Sequence, residues 1–322
     1  MASLFAYIAH KEGVLDDTAP ELALAASKLG DASQVTAILT GSGAALETAC
    51  QQAAKIYPTV WKFDNTELGY PNAEQVRKLL TDVTPAGSIV LMAHDTFGMD
   101  LGPGLSIKLN STYVADVMGI EKVQDHIATL VRQEYAGMAH AHVDCDLSGG
   151  AVLTLRPGAF QAEEEGTGAG QVEDKSGDVG DLTVKRRFLE VVEAEVGDVD
   201  ITKADVLVSV GRGIEDEENI EIAQELADAM GAVVSCSRPI VDAKWLEKPR
   251  QVGTSGQTVK PKVYLAMGIS GSFQHLGGIK GSPFIVAVNK NPKAPIFQVA
   301  DVGIVEDILE FMPDLAEKIQ EG

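Results

Sequence analysis

The stretch KVYLAMGISGSFQH (Lys262–His275) joins an apolar run to a polar, glycine-rich turn that precedes a predicted helix. The run KVYLAM has the composition of a buried strand. A tight turn needs glycine, but it does not need two serines and a histidine beside the glycines. The turn therefore binds a phosphate, binds a ring, or serves only the backbone.

The same alternation of strand, turn and helix runs through the second half of the chain from Asp205. Alternation of this length is typical of a parallel sheet covered by helices on both faces. The predicted strands are DVLVSV, AVVSC, KVYLAM, FIVAV and IFQVAD, and the predicted helices include an acid-led segment closed by Gly231 and the C-terminal VEDILEFMPDLAEKI.

The first half alternates in the same way up to about residue 110 and then becomes β-rich, which we interpret as an edge extending the same domain. A charged, glycine-rich segment at about 161–181 predicts an exposed, mobile loop. TVKRRFLEVVEAE predicts one or two strands, and VGDVDIT predicts the link between domains. We expect two α/β domains, 1–196 and 197–322, each with a mostly parallel sheet flanked by helices.

Composition limits the class of partner and compartment. The net charge of −21 disfavours nucleic acid, because phosphate contacts need clustered Lys and Arg. No apolar run is long enough to cross a bilayer, and the N-terminus resembles neither a secretory signal nor an Arg-rich transit peptide. Three cysteines without a C-x-x-C pair argue against a disulfide scaffold and an iron–sulfur cluster. We expect a cytoplasmic protein rather than one of the mitochondrial matrix.

Every predicted strand of the second domain is followed by unusual residues. In a parallel sheet these positions share the carboxyl edge, where ligands bind. They are GRG at 211–213, SR at 237–238, GISGSFQH, Asn289 in AVNKNP, and AD at 300–301. The set is typical of a dinucleotide site, although the spacing is not the G-x-G-x-x-G fingerprint of NAD-binding folds.

These residues also carry a family resemblance. SRPIVDAKWL, RQVGTSGQTVKPKVYLAMGISGSFQHLGGIKGS and VAVNKNPKAPIFQVADVGIVEDILEFMPDL resemble the FAD domain of the electron-transfer flavoprotein alpha subunit. The resemblance is strong over about 205–322. AHDTFGMDLGPGLSIKL and VLTLRPGAF resemble the family's first domain, which implies an adenine-nucleotide-hydrolase-like fold. Met99 stands where the family shows a basic residue.

The resemblance implies which residues bind FAD. Arg212 is assigned to the adenosine or pyrophosphate end, Arg238 to the isoalloxazine ring, and His275 to the flavin O2 carbonyl. The complete set of implied FAD contacts is Arg212, Ser237, Arg238, Val252, Gly253, Thr254, Ser255, Ser270, Gly271, Ser272, Phe273, Gln274, His275, Asn289, Asp307 and Ile308.

One motif departs from the family pattern. The family's usual Q-V-G-Q-T-G is QVGTSG here, so Thr254 replaces Gln and Ser255 replaces Thr. Ser255 keeps the hydroxyl that the family uses as a donor to flavin N5 but lacks the methyl group that stiffens a threonine rotamer. We expect the hydrogen bond to N5 to survive with an altered flavin potential.

The resemblance implies an FAD-dependent electron carrier of fatty acid β-oxidation. It would pair with a beta subunit, accept electrons from flavin dehydrogenases of the acyl-CoA class, and pass them to a quinone-linked oxidoreductase. It would have no substrate chemistry and no catalytic residue of its own. One alternative is the FAD relay subunit of an NADH-oxidising, electron-bifurcating flavoprotein. A further alternative is a non-redox adenine-nucleotide-binding protein.

Two motifs of the first domain leave an alternative open. On a strand, His140, His142, Asp144 and Asp146 point to one face and could bind a metal ion, but a solvated strand face is the favoured interpretation. TGSG at 40–43 follows a strand and could bind a phosphate, but an ordinary turn between strand and helix is favoured. We therefore expect no metal site.

Overall fold

A computed structural model describes residues 3–135, 139–160, 162, 168–190, 199–281 and 283–321. The chain divides into two compact units, Met1–Glu190 and Val191–Gly322. In the part of the chain so described, no helix has the length and apolar character needed to span a membrane.

The first unit is built on a nine-stranded sheet with the order β11-β5-β4-β1-β6-β10-β7-β8-β9. The pairs from β11 to β7 are parallel, whereas β7 with β8 and β8 with β9 are antiparallel. The strands are β1 Leu4–Tyr7, β4 Val35–Gly41, β5 Thr59–Asp64, β6 Ile89–Ala93, β7 Thr112–Gln124, β8 Ile127–Glu134, β9 Ala139–Asp146, β10 Ala151–Leu155 and β11 Gln171–Asp174, with a small hairpin of β2 His10–Lys11 and β3 Val14–Leu15.

Helices cover both faces of this sheet, and the sheet separates two apolar cores. They are α1 Ala19–Leu29, α2 Gly43–Ala53, α3 Ala73–Val83 and α4 Thr96–Leu109. Polar caps fix where α3 and α4 begin, because Asn72 accepts from the Glu74 amide and Asp95 accepts from the Gly98 amide. Asn110 ends α4 in the left-handed conformation.

Three expectations for the first unit need correction. β10 does not extend an edge, because it lies between β6 and β7 in the middle of the sheet. Gln171–Asp174, inside the predicted loop, forms an edge strand parallel to β5, so the loop prediction is wrong there. Residues 183–190 form no strand. Parts of these two predicted segments lie outside the described residues, namely 161, 163–167 and 191–195.

The second unit contains a five-stranded, fully parallel sheet with the order β13-β12-β14-β15-β16. Its strands are β12 Val206–Val210, β13 Val233–Cys236, β14 Val263–Met267, β15 Phe284–Val288 and β16 Val302–Ile304, and its helices are α5 Ile220–Met230, α6 Arg238–Asp242, α7 Phe273–Leu276 and α8 Ile308–Glu321. Gly231 ends α5 at φ 62°, the left-handed conformation predicted for it. Counted within this unit, the strand order is 2-1-3-4-5, a common doubly wound order.

The predicted last strand is wrong. Pro295–Gln298, within IFQVAD, forms a short 3₁₀ helix, and the fifth strand is Val302–Ile304. Proline fixes a helical φ at the start of this turn, and Ile296 is buried there as an apolar anchor. Asp301 consequently precedes the fifth strand rather than following it, so AD at 300–301 does not lie at the carboxyl edge.

The three cysteines, Cys50, Cys145 and Cys236, are buried free thiols. Burial is the largest cause that raises the pKa of each of them, to about 12 for Cys50 and Cys236 and to about 11 for Cys145. A thiol with such a pKa is a poor nucleophile and metal ligand. In these positions cysteine acts as a small apolar side chain.

Candidate functional site

The carboxyl edge of the second sheet brings together the predicted turns from different strands. Gly211 follows β12, Ser237 follows β13, Gly268 follows β14 and Asn289 follows β15. The backbone connects these ends, since the amides of Gly211, Ser237 and Gly268 donate to the last carbonyls of neighbouring strands. The strand order reverses between β12 and β14, which is the place where doubly wound sheets form a ligand crevice.

Glycines at this switch point let two backbones approach closely. A Cβ atom added to Gly211 would lie 2.4 Å from the Gly268 carbonyl oxygen, and one added to Gly213 would lie 2.7 Å from Gly268 Cα. Gly268 itself has φ 64°. Arg212, between the two close glycines, is exposed. The two turns therefore pack closely through their backbones, and the Arg212 side chain stays open to solvent beside them.

The turn after β14 is rigid in its backbone and polar at its surface. Gly271 has φ 83°, and a Cβ atom there would lie 2.4 Å from the Ile296 amide nitrogen. The Ile296 amide donates to the Ser270 carbonyl oxygen at 3.0 Å. Ser270 and Ser272 are exposed on either side. The turn thus presents two hydroxyl groups on a closely packed backbone, and hydroxyl and backbone N–H groups of this kind can bind a pyrophosphate.

The QVGTSG turn packs against the short helix α7. The Thr254 amide donates to the Gln274 carbonyl oxygen at 2.8 Å, and the Val252 amide donates to the Cys236 carbonyl oxygen at 2.9 Å. A Cβ atom on Gly277 would lie 2.7 Å from the Thr254 methyl group. Thr254 therefore fills space that the absence of a side chain at Gly277 leaves open.

Ser255 is oriented by the side chain of Gln251. Gln251 is buried, and its Nε2 donates to Ser255 Oγ at 2.9 Å. Because that oxygen accepts from the amide, the Ser255 hydroxyl keeps its hydrogen for another acceptor. Ser255 itself is exposed. This arrangement suits the predicted donor to a flavin ring nitrogen.

Ser237 and Arg238 begin α6. Ser237 is buried, whereas the Arg238 side chain is 69% exposed, and its Nε lies 3.3 Å from Asp242 Oδ2 one helical turn later. An exposed ion pair of this kind contributes little to stability. The guanidinium is therefore available to a ligand at the carboxyl edge.

The residues predicted to bind the adenosine end of FAD also contact other groups of the protein. Asn289 donates through Nδ2 to the Ile269 carbonyl oxygen at 2.9 Å and accepts from the Asn291 amide through Oδ1. Asp307 accepts from the Leu309 amide at the start of α8, and its other carboxylate oxygen lies 2.9 Å from Lys290 Nζ. Ile308 is buried. Both polar side chains thus have partners in the protein, and their contact with FAD stays a prediction.

His275 is a buried titratable group at this edge. It is 5% exposed, and its Nε2 lies 2.8 Å from the Tyr264 hydroxyl. Burial lowers the pKa of His275 to about 4, and a smaller effect of the Val252 backbone acts to raise that pKa. The imidazole is therefore neutral near pH 7. Its predicted contact with the flavin O2 carbonyl stays a prediction.

This pKa predicts a loss of stability in acid. The folded-state pKa of about 4 lies below the ordinary value of about 6.5, so between these pH values the unfolded chain binds more protons. Stability is then fully present above pH 6.5 and falls as the pH falls toward 4, by about 3 kcal/mol in all. Urea unfolding between pH 7 and 4.5 measures this slope.

The matched comparison uses His275→Gln, which keeps a polar side chain but cannot titrate, and His140→Gln at an exposed position. The His275 variant should have the shallower pH slope, and the His140 variant should keep the wild-type slope. His10 and His94, whose pKa values burial also lowers, remain in both variants and contribute equally. Equal slopes for His275→Gln and the wild type would contradict the assignment.

The corresponding edge of the first sheet differs from this site. A cavity of about 10 Å³ lies there, with Tyr7, Asp95 and Gly98 in its walls. Burial raises the pKa of Asp95, which caps α4. Met99 is 48% exposed. Such a cavity has about the volume of one water molecule and is far too small for an adenine ring.

A larger cavity of about 360 Å³ also lies in the first unit, lined by residues from 66–75 and 182–188. Tyr70 and Phe188 in its wall stack on each other with ring centroids 4.1 Å apart. Arg186 in the same wall pairs with Asp100. None of the predicted site residues lines this cavity.

The predicted metal alternative has no support in β9. His142 Nδ1 lies 3.0 Å from Glu121 Oε2, and Asp144 accepts from the Thr129 hydroxyl at 2.8 Å. Among the described residues, no group of three or more His, Cys, Asp or Glu side chains could hold a metal ion. The interpretation of β9 as a solvated strand face agrees with the exposure of His140 and His142.

Comparison with known proteins gives two family matches that together span most of the chain. The model of the electron transfer flavoprotein domain matches residues 4–179, and that of the electron transfer flavoprotein FAD-binding domain matches residues 200–280. This chain belongs to the electron transfer flavoprotein alpha subunit family. The recognition made from the motifs of the second domain is thus confirmed, and FAD is the cofactor of that domain.

Curated relatives extend over nearly the whole chain. Electron transfer flavoprotein subunit alpha, mitochondrial, of Arabidopsis thaliana is 34% identical over 97% of this chain and 88% of its own length. Electron transfer flavoprotein subunit alpha of Megasphaera elsdenii is 35% identical over 96% and 94%. Protein FixB of Clostridium saccharobutylicum is 32% identical over 99% and 96%.

The second unit fits the cofactor of its family. The glycines at 211, 213 and 268 let the turns after β12 and β14 pack backbone against backbone, and the adjoining turn offers serine hydroxyls for phosphate oxygens. Sequence reasoning missed Gln251, Tyr264 and Asp242, each of which contacts a predicted FAD residue. A signal for Tyr264 existed, since it is the one hydroxyl-bearing residue in an otherwise aliphatic buried strand.

Proposed function

We propose that this chain is the FAD-carrying half of a heterodimeric electron carrier completed by a beta subunit. It receives electrons from flavin dehydrogenases of the acyl-CoA class and delivers them to a quinone-linked oxidoreductase in the cytoplasm. The chain has no substrate chemistry of its own. The observation that carries this proposal is the convergence of the predicted turns at the switch point of a five-stranded parallel sheet.

The residues of this chain have distinct tasks in the carrier. FAD, when bound, supplies one-electron transfer. The Arg238 guanidinium favours the negative charge that reduction adds to the ring, because opposite charges attract strongly once a cleft excludes water. Ser255 offers a hydroxyl hydrogen that its bond from Gln251 leaves free. Neutral His275 donates a hydrogen bond without adding a full charge.

A partner subunit is part of the proposal because the ring-binding residues are open to solvent. Arg238, Thr254, Ser255 and Phe273 are all exposed in this chain, and Phe273 is 67% exposed. An exposed large apolar side chain among residues predicted to bind the ring is the kind of surface that a second protein covers. Covering it would exclude water from the ring and strengthen each polar contact.

The non-redox nucleotide alternative is less well supported. It needs a binding edge in the first unit, where the cavity bounded by Tyr7, Asp95 and Gly98 measures about 10 Å³. The Asp95 carboxyl group would also meet any phosphate placed at the start of α4. The turns predicted to bind a dinucleotide converge in the second unit instead.

The test is to co-purify the chain with its beta subunit and follow the absorbance of the bound flavin. When an acyl-CoA dehydrogenase that its own substrate has reduced is mixed with the pair, it should reduce the bound flavin. A quinone-linked oxidoreductase added afterwards should reoxidise the flavin. NADH alone should not reduce it. Rapid reduction by NADH, with no response to the dehydrogenase, would contradict the proposed donor and favour the bifurcating alternative.

A further inference from the structure

One lysine joins three turns at the carboxyl edge of the second sheet. Lys290 follows β15, and its Nζ lies 2.9 Å from Glu215 Oε1 and 2.9 Å from Asp307 Oδ2. Glu215 belongs to the turn after β12, and Asp307 follows β16. Because β14 lies between β12 and β15, the contact of Lys290 with Glu215 connects turns whose strands are not neighbours.

The Asp307 carboxylate has a partner on each of its two oxygens. The Leu309 amide donates to Oδ1 at 3.0 Å, and Lys290 Nζ lies 2.9 Å from Oδ2. The bond from Lys290 is the largest cause that holds the pKa of Asp307 below its ordinary value, so this carboxyl group is ionised near pH 7. A carboxylate has about four acceptor sites, so one remains on each oxygen for a ligand. The side chain is 26% exposed, so a ligand can reach it.

Glu215 has an unfavourable backbone conformation. Its φ is 68° and its ψ is −42°, a combination that residues with a side chain seldom adopt. The Glu215 amide donates to the Arg212 carbonyl oxygen at 3.1 Å, and Asn219 Nδ2 donates to the Ile214 carbonyl oxygen at 2.8 Å. Such conformations persist only where the surrounding structure fixes them, and they are concentrated at binding sites. In this conformation the Glu215 carboxylate reaches Lys290.

The charges of these three side chains matter to an anionic cofactor. FAD carries a pyrophosphate, which two carboxylates at the same sheet edge would repel. The Lys290 ammonium group contacts both carboxylates and offsets part of their charge. Lys290 is 54% exposed, and exposed ion pairs contribute little to the stability of a fold. The effect of Lys290 should therefore appear in ligand binding rather than in stability.

We propose that Lys290 is a positioning residue of the FAD site, whose ammonium group holds the Asp307 carboxylate in place and ties it, through Glu215, to the turn after β12. Asp307 then accepts a hydrogen bond from a hydroxyl or amino group of the adenosine half, because a carboxylate can only accept. This inference rests on the proposed function, in which Asp307 contacts that half of FAD. Lys290 itself needs no contact with FAD.

The first experiment titrates FAD into the flavin-stripped subunit pair. Lys290→Met keeps the length of the side chain but removes its charge, and it should weaken FAD binding about tenfold, the effect of losing one charge-assisted contact. Lys290→Arg keeps a cation with several donors and should restore most of the affinity. Urea unfolding should give equal stabilities, whereas a merely structural role would lower that of Lys290→Met. Wild-type affinity in Lys290→Met, or a loss that Lys290→Arg does not reduce, would overturn the proposal.

Lys262→Met is the matched control. Lys262 is also exposed, and its Nζ lies 3.0 Å from Asp205 Oδ2, but it precedes β14 and so lies at the opposite end of the same sheet. This variant should leave the affinity for FAD unchanged. Equal losses in Lys262→Met and Lys290→Met would mean that net charge acts at a distance, and the positioning role would be wrong.

Hydrogen exchange without FAD tests the positioning itself. In Lys290→Met, peptides that cover 212–216 and 307–310 should exchange faster, because the first contains the tied turn and the second contains the Leu309 amide that donates to Asp307. Lys262→Met should leave both rates unchanged. Wild-type exchange rates in Lys290→Met would contradict the proposal.

The two ideas fail separately. If the wild-type subunit pair binds FAD but Lys290→Met keeps the wild-type exchange and affinity, the positioning role is wrong and the carrier function stands. If Lys290→Met speeds exchange at both turns but the wild-type pair binds no FAD, the positioning role stands and the proposed function is wrong.

Discussion

Gly211→Ala should greatly reduce the FAD content of the purified subunit pair. The new methyl group would lie 2.4 Å from the Gly268 carbonyl oxygen, so β12 and β14 must separate at the switch point. Overpacking of this kind costs about 2 to 3 kcal/mol of unfolding free energy. FAD released by denaturation of the pair measures the cofactor content, and urea unfolding measures the stability.

Two further variants distinguish a loss of FAD binding from a loss of folding stability. Gly177→Ala, in the first unit, places a methyl group in open space and should change neither quantity. Arg212→Ala removes an exposed side chain and should weaken FAD binding about tenfold while leaving stability unchanged, because a charge-assisted contact contributes about 1.5 kcal/mol or more. Full FAD content in Gly211→Ala would show that the crevice is not the site.

Arg238→Ala should make the bound flavin harder to reduce. Loss of one charge-assisted contact of about 1.5 kcal/mol corresponds to a fall of about 60 mV in the potential of the first electron. Stability should not change, because the side chain is 69% exposed and its pair with Asp242 is at the surface. Dithionite titration against reference dyes measures the potential.

The neighbouring Asp242 provides a control with the opposite sign. Asp242→Asn keeps the shape of the side chain but removes the charge that lies 3.3 Å from Arg238. The potential should then rise, because the guanidinium is no longer partly neutralised. A potential that is equal in both variants and the wild type would mean that Arg238 does not act on the ring.

Much of the fold followed from the sequence because long alternating elements have strong periodic patterns. The strands β12 to β15 lie where their apolar runs predict them, whereas α5 begins only at Ile220, so the acidic residues predicted to lead this helix precede it. β11 was missed because QVED is short, polar and only half-buried at a sheet edge, so it carries no strand pattern. β10 was misplaced because the order of strands along a chain does not fix their order in a sheet.

The site followed partly from the sequence, since turns after parallel strands must share one edge. The turns at 211–213, 237–238 and 268–275 do so. The prediction of a strand at IFQVAD failed because its apolar residues suit a buried 3₁₀ turn as well as a strand. The bonds of Tyr264 with His275 and of Gln251 with Ser255 depend on side-chain geometry, which spacing alone does not give.

The most direct test of the account is hydrogen exchange of the flavin-stripped subunit pair with and without added FAD. The account predicts slower exchange in peptides that cover 211–213, 252–255 and 268–275, the turns at the carboxyl edge of the second sheet. Peptides at the matching edge of the first sheet, 40–43 and 94–98, should not change. Protection confined to the first unit, or no protection anywhere, would contradict the account.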